Sequence, residues 1–529
     1  MVYYRDKRLM IGADALMKPS DFFAPTRDLT IDLVAIPSVT GSSGETTIVE
    51  YLHHRLTRHK AYQSGRMRLF MIPSKDDPLF RPTLIAHLVG KKPSGVLLFG
   101  HTDTVGTSDY GALESLACRP LELTQAVSQG VLGPEAAERA KTGSWLFGRG
   151  SVDMKSGVAA ALTTFEALAD SECEQHVFFS ATPDEEVSSL GVKTLSGWLD
   201  EYLEAEGIEL KMAINTDYTS PLLGDGGAKH IYLGSIGKLL LGVYVRGVPS
   251  HAAEPENGLD PNVLLANITG HVVYNDALRD TSAAERCPAP TCLFQRDGKS
   301  NYDVQTALSA SAYYNLFHME RTPSEQLTLF VRTVRRAIQE FQTRYPAYSP
   351  SDIPVYTYED LWNLANDQVR DDMKSYHDSL TLSTDVQERS RLMTETLLEK
   401  IGVKGPCVVV YFAAGLIPKV DSGVTVAKLL TETLHAFSAK TGEKFKLHTY
   451  FPYISDLSFL TASPDWEDAT FVSNYPCQVT ATPGPRRTAP TLMIGTYGVG
   501  AHRPDESVEM TYTFRHLPSL LWNLVKTVD

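Results

Sequence analysis

Apolar residues recur at helical spacing over residues 29–36 and 44–58, and Pro37 stops the first of these runs because its ring cannot continue a helix. Between such stretches lie apolar runs of strand length at residues 67–72, 83–88, 96–99, 177–181 and 212–215. Several of these do not alternate with polar residues, which is the pattern of strands buried on both faces. An alanine-rich stretch at 157–168 predicts a helix covering them. The alternation of helix and strand predicts an α/β fold, with a mixed, largely parallel sheet flanked by helices.

The pattern changes around residues 234–237. A strand is predicted at 239–245, running into His251, followed by a helix at 262–274 and further strand and helix signals at 306–317 and 324–345. Residues 357–400 are polar and mostly helix-like, and 407–413 reads as a strand that fits either domain. These signals predict a main domain in two parts, 1–235 and 421–529, with a smaller α+β domain inserted at 236–420. No internal repeat or low-complexity tract interrupts them.

The length of 529 residues calls for two or three domains rather than one core. A net charge of -14 with no clustered Lys and Arg argues against a nucleic-acid partner. Six scattered cysteines, without paired spacing, read as free thiols. Neither an apolar segment behind the N-terminal Met-Val-Tyr-Tyr-Arg-Asp-Lys-Arg nor an 18-residue uncharged apolar run appears, so the expectation is a cytoplasmic protein with no membrane partner.

Open α/β sheets place their sites at the carboxyl ends of strands, so polar residues directly after apolar runs carry the most information. Four such places stand out. Val96-Leu-Leu-Phe-Gly-His101-Thr-Asp103 puts an imidazole beside an acid, the partner that a metal-bound imidazole needs to fix its tautomer. Phe147-Gly-Arg-Gly-Ser-Val-Asp153 is a glycine-rich turn, but neither phosphate-loop spacing is present and Asp153 would repel a phosphate. Asp184-Glu185-Glu186 sets three acids in a row, which at a ligand-binding edge repel one another unless a cation neutralises them. Asp217 closes a fourth strand, and His502, in Gly500-Ala-His502-Arg-Pro-Asp-Glu506, supplies the missing nitrogen ligand from the C-terminal return.

In this order the motifs resemble those of the dinuclear zinc peptidases and deacylases, the family of glutamate carboxypeptidase, acetylornithine deacetylase, succinyl-diaminopimelate desuccinylase and peptidase T. The resemblance spans nearly the whole chain. It implies two zinc ions, with manganese or cobalt also compatible with the donors. His101 and Asp217 would bind one ion, Glu186 and His502 the other, and Asp153 both. Asp103 would orient His101, and Glu185 would be the general base of a water attack on an amide or peptide carbonyl. Spacing alone does not distinguish the roles of Glu185 and Glu186, and that assignment comes from the resemblance. Gly247-Val-Pro-Ser-His251 is similar to the family's lid motif, whose histidine stabilises the oxyanion, commonly from a partner's lid, so a homodimer through the inserted domain is implied.

Tyr453-Ile-Ser455-Asp456 resembles the family's substrate-side loop and places Asp456 near the substrate; an N-cap before residues 457–460 is the other reading. The inserted domain lacks a clear counterpart of the arginine that binds a substrate carboxylate, for which Arg321 and Arg246 are candidates. Asp at position 217 is similar to the aminopeptidase and dipeptidase members. Residues 145–151 and 302–306 look like the arginine-utilisation branch. The implied substrate is a small peptide or N-acyl amino acid, arginine-related compounds included. The alternative is a metal-binding scaffold or sensor without turnover, which would have no use for a base at Glu185.

Overall fold

The computed structural model describes residues 21–75, 77–219, 226–282, 285–380, 385–477 and 484–528. The N-terminal residues 1–8 and the stretch behind them to residue 20, on which the expectation of no apolar leader rests, lie outside them. Six strands of the main sheet come first: β1 (Met67–Pro73), β2 (Pro82–Leu88), β3 (Ser94–His101), β4 (His176–Thr182), β5 (Glu209–Asn215) and β6 (Lys229–Tyr232). Five strands of a second sheet follow: β7 (Gly237–Arg246), β8 (Thr291–Asp297), β9 (Ser309–His318), β10 (Val355–Thr357) and β11 (Cys407–Phe412). The chain then returns to the first sheet with β12 (Phe445–His448) and β13 (Thr491–Met493).

The main sheet has the order β1-β2-β4-β3-β5-β13-β6-β12. Its central pairs β4/β3, β3/β5 and β5/β13 are parallel, as is β12/β6 at one edge, while β1/β2, β2/β4 and β13/β6 are antiparallel. The sheet is therefore mixed, with its main parallel part at the centre. Every residue of β3 is buried, as expected of a central strand covered on both faces.

Helix α1 (Phe23–Val34) begins six residues before the predicted stretch, and α2 (Gly44–Thr57) matches its prediction closely. The alanine-rich segment forms α3 (Lys155–Ala169), buried along most of its length. Its small side chains let other helices approach, and Thr26 and Thr163 hydroxyls meet at 2.9 Å between α1 and α3.

The second sheet has the order β8-β9-β7-β11-β10, so the strand at 407–412, open to either domain in the sequence, belongs to the inserted one. Its helices include α4 (Pro261–Val272) and α5 (Pro323–Arg344), the latter opened by a reciprocal cap between Thr322 and Glu325. Residues 357–400 contribute three more helices, Tyr358–Leu364, Asp367–Ser379 and Val386–Lys400.

The chain enters and leaves this domain through a two-strand ribbon, Gly234–Ser235 paired with Val420–Asp421. A later segment crosses back: the helix Ala469–Asn474 and the residues after it place Phe471, Tyr475 and Cys477 in the inserted domain's core, with the rings of Phe412 and Phe471 4.8 Å apart. Sequence periodicity could not show this crossing, because a six-residue helix carries too short a pattern. None of the six cysteines forms a disulfide among the described residues. Among the described residues no helix is long and apolar enough to cross a membrane.

Candidate metal centre

Register brings the motifs together. His101 at the end of β3 pairs with Thr182 at the end of β4, and Phe99 pairs with Asn215 at the end of β5. The residues that follow these strands, Asp103, Asp184 to Glu186 and Asp217, therefore emerge at one sheet edge. Two glycines bring the backbone close to Asp217. A Cβ on Gly157, in the first turn of α3, would lie 2.1 Å from Thr216 O, and one on Gly495 would lie 1.5 Å from Asp217 O.

Asp153 stands at the centre. Its Oδ1 is 3.2 Å from His101 Nε2 and its Oδ2 is 3.2 Å from His502 Nε2. Asp217 Oδ1 lies 3.7 Å and Glu185 Oε2 4.0 Å from His101 Nε2, and Glu186 Oε1 lies 2.8 Å from His502 Nε2. Ligand atoms of His101, Asp153 and Asp217 fall within 4.8 Å of one another, as do those of Asp153, Glu186 and His502 and those of His101, Glu185 and Glu186. The first two sets share Asp153, one carboxylate oxygen toward each.

Behind the ligands lies a scaffold of carboxylates. Asp103 Oδ1 is 3.5 Å from His101 Nδ1, whose nearer contact is the Asp103 carbonyl at 3.1 Å. The same carboxylate accepts the backbone N–H groups of Glu185 and Glu186 at 3.1 and 3.2 Å and the Thr40 hydroxyl at 2.9 Å. Asp103 thus holds the acidic turn as well as facing the imidazole. From the other side, Glu45 accepts the Asp184 N–H at 3.0 Å, and buried Arg81 binds Glu45 at 2.7 Å, Asp77 at 2.7 Å and Asp184 at 2.9 Å. Glu506 accepts the N–H groups of Val152 and Asp153 at 3.2 and 3.3 Å and pairs with buried Arg149 at 2.8 Å, tying the His502 loop to the Asp153 loop.

Sequence reasoning did not find Glu45, Arg81, Arg149 or the anchoring role of Glu506. Glu45 reads as an ordinary acid at a helix start and Arg81 as a loop charge. Their partners are distant along the chain, so no local spacing reveals them.

The electrostatics describe a centre arranged for cations. Burial raises Glu185 well above the ordinary carboxylate range, and Asp456, Asp217 and Glu186 reinforce the effect. Burial raises Glu186 and Asp217 too, with Asp153 adding repulsion. Asp153 is held below its usual range because the His101 and His502 imidazoles beside it outweigh its burial. The bond to Asp153, with that to Glu186, lifts His502 to about 10. Burial alone would pull His101 down, but Asp103, Asp153 and Asp217 raise it well above normal. Buried His101 Nε2 makes no hydrogen bond. An imidazole nitrogen facing carboxylates in this way fits a metal ligand, and the mixed imidazole and carboxylate donors fit two divalent ions.

The other predicted residues lie apart from this cluster. His251 is exposed in the inserted domain, bridged to Gln305, and its Nδ1 accepts the Ala253 N–H at 3.1 Å. Among the described residues it shares no hydrogen bond or ion pair with the centre. Arg321 is occupied by Asp280 at 3.7 Å and the Ala277 carbonyl at 3.5 Å. Arg246 donates to the carbonyls of Gly405 and Val403. Asp456 is buried at the start of a short helix, and the N-cap is Ser455, whose hydroxyl accepts the Leu457 N–H. The capping reading of Asp456 is thereby corrected.

A family model described as peptidase family M20/M25/M40 matches residues 97–515. The protein RocB of Bacillus subtilis is 29% identical over 525 residues, covering 93% of each chain. Aminopeptidase PepT of Bacillus cereus has a similar structure, with a TM-score of 0.52 at 14% identity over 95% of this chain and 97% of its own. A Bacillus subtilis protein described as a dinuclear metal-binding peptidase of the M20 family superposes with a TM-score of 0.50 at 11% identity, covering 96% and 99%.

Proposed function

Because this chain belongs to peptidase family M20/M25/M40, we propose that it hydrolyses an amide bond of a small peptide or N-acyl amino acid with two divalent ions and Glu185 as general base. The observation that carries this reading is Asp153, with one carboxylate oxygen toward His101 and the other toward His502 and with Glu185 beside the same imidazole. His101 and Asp217 would hold one ion, Glu186 and His502 the other, and Asp153 both. Zinc is the preferred ion, with manganese and cobalt compatible with the donors. When bound, such a pair supplies Lewis acidity to the carbonyl and makes water more acidic.

The remaining chemistry falls to this chain's own side chains. Glu185 takes a proton from the attacking water as the C–O bond forms, then delivers it to the nitrogen as the C–N bond breaks. Its partly buried carboxylate stands 4.0 Å from His101 Nε2, beside where such a water would be held. Asp103 keeps His101 and the acidic turn in place through both steps.

The test is incubation of the zinc-loaded protein with pooled dipeptides and N-acyl amino acids, arginine derivatives included. Released amine that disappears on chelation and returns with zinc is the expected result. Two bound zinc ions with no release from any pool would sink the hydrolase reading and leave a metal-binding scaffold.

His251 would serve the oxyanion from the inserted domain of a second copy, as the family resemblance implies. E185Q and H251A chains, each poorly active alone, are expected to regain about a quarter of the wild-type rate after subunit exchange, the statistical share of intact sites in a twofold dimer. An exchanged mixture no more active than its components would exclude action across a dimer.

A further inference from the structure

The acids around the centre can be accounted for one by one. Asp153, Glu186 and Asp217 are the carboxylates of the two ion sites, and with one hydroxide they balance the four positive charges of two divalent ions. Asp103 is spent on His101 and two backbone N–H groups. Asp184 is bound to Arg81. Glu185 is the base. One carboxylate is left over: Asp456, which is 2% exposed and whose Oδ1 has no hydrogen-bond partner.

The loop carrying Asp456 is tied to the same sheet edge. Ser455, directly before it, takes a hydrogen bond from Asn215 Nδ2 at 3.4 Å, and Asn215 Oδ1 accepts the Asp217 N–H at 3.2 Å. The loop is held from beneath, with Leu457, Phe459 and Leu460 in the main-domain core. Asp456 and Glu185 feel each other's charge, and so do Asp456 and Asp217. Lys193 feels the Asp456 charge, but its ammonium donates to Ser188 O at 2.7 Å and lies over the Phe459 ring at 4.7 Å. Ser189 gives the carboxylate a side-chain hydrogen bond.

A buried carboxylate with a free oxygen is costly unless something completes it. The arginines already named do not: Arg81 serves Glu45, Asp77 and Asp184, while Arg321 and Arg246 are engaged in the inserted domain.

We propose that Asp456 is the specificity-determining residue of a cation subsite, which receives an ammonium or guanidinium group of the substrate beside the scissile amide. This rests on the hydrolase reading of the centre. It selects substrates that carry a positive charge. The cation meets Asp456 Oδ1 by a charge-assisted hydrogen bond, the strong kind, in a place from which water is largely excluded.

Matched substrate pairs test it on the zinc-loaded enzyme. Nα-acetyl-arginine is compared with Nα-acetyl-citrulline, nearly its shape with a neutral urea, and alanyl-alanine with N-acetyl-alanyl-alanine. The first pair reports a side-chain guanidinium and the second a terminal ammonium. The wild type should prefer the charged member of at least one pair by about 30-fold or more in kcat/KM. D456N should bring that ratio within about threefold, the charged member losing far more than the neutral one, and D456E should retain part of the preference. A binding arm is independent of turnover: free arginine or alanyl-alanine should raise the melting temperature of the zinc-loaded wild type and not that of D456N.

Equal wild-type rates within both pairs would overturn the subsite while leaving the hydrolase reading standing. So would a preference that D456N keeps. Cleavage of no compound would fail the hydrolase reading instead, and the melting arm would then decide the subsite by itself. Because the wild-type ratio needs no variant, the inference stays exposed to refutation even if D456N does not fold.

Discussion

Exchange of Glu185 for glutamine is expected to lower kcat by about 10²- to 10⁴-fold, the usual contribution of a positioned general acid or base, while two zinc ions remain bound. Glutamine keeps the size and most of the packing of glutamate but cannot take a proton from water. The backbone of residue 185 stays fastened to Asp103 whatever its side chain, so the turn carrying Glu186 is not expected to move. KM should change little, because the ligands and the substrate contacts are untouched. Measured kcat, KM and zinc content together decide the matter. A variant that keeps full turnover would rule out Glu185 as the base. One that loses zinc as well would show Glu185 to be a ligand, the role the sequence could not separate from that of Glu186.

The second large effect is expected on stability. Arg81→Met removes the one cation that binds Glu45, Asp77 and Asp184, all four side chains being buried. Burial already raises Glu45 and Asp184 even with arginine present. Breaking a buried ion network from one side leaves its charges uncompensated, a loss of roughly 3–5 kcal/mol. That corresponds to a fall in melting temperature on the order of 10 °C. Activity should fall further than the folded fraction, because Glu45 and Arg81 together hold Asp184, the neighbour of the base. Lysine at 81 should rescue only in part, since a single ammonium cannot present the guanidinium's fork to three carboxylates. A melting temperature within a degree or two of wild type would mean that the cluster does not carry the turn.

The centre was legible in the sequence to the extent that its chemistry is local. His101 with Asp103, the acid run at 184–186 and Asp217 each follow an apolar strand, so strand ends and residue types were enough to gather them. His502 could be added because the donor set lacked a nitrogen. What lay beyond reach is long-range pairing: Arg81 meets Glu45 and Asp184, 36 residues before it and 103 after, and no periodicity records such a meeting. The helix signals were read well where the amphipathic pattern was long, as in Pro323–Arg344. Phe23–Val34 was entered late, because its first turn carries a proline and mixed polarity. Asp456 was found through its loop, but the capping function belongs to Ser455, a one-residue distinction that spacing does not resolve.

The crossing made by residues 469–477 changes how the inserted domain is mounted. Joined to the main body only through the Gly234–Ser235 and Val420–Asp421 ribbon, the domain would sit on a single pivot. Phe471 and Tyr475, seated in its core, add a third attachment away from that axis. Any turn about the pivot must either carry this strap along or pull two aromatic rings out of their packing. The strap follows the Asp456 loop by about ten residues, so torque on the inserted domain reaches the main domain through the stretch of chain that carries the leftover carboxylate.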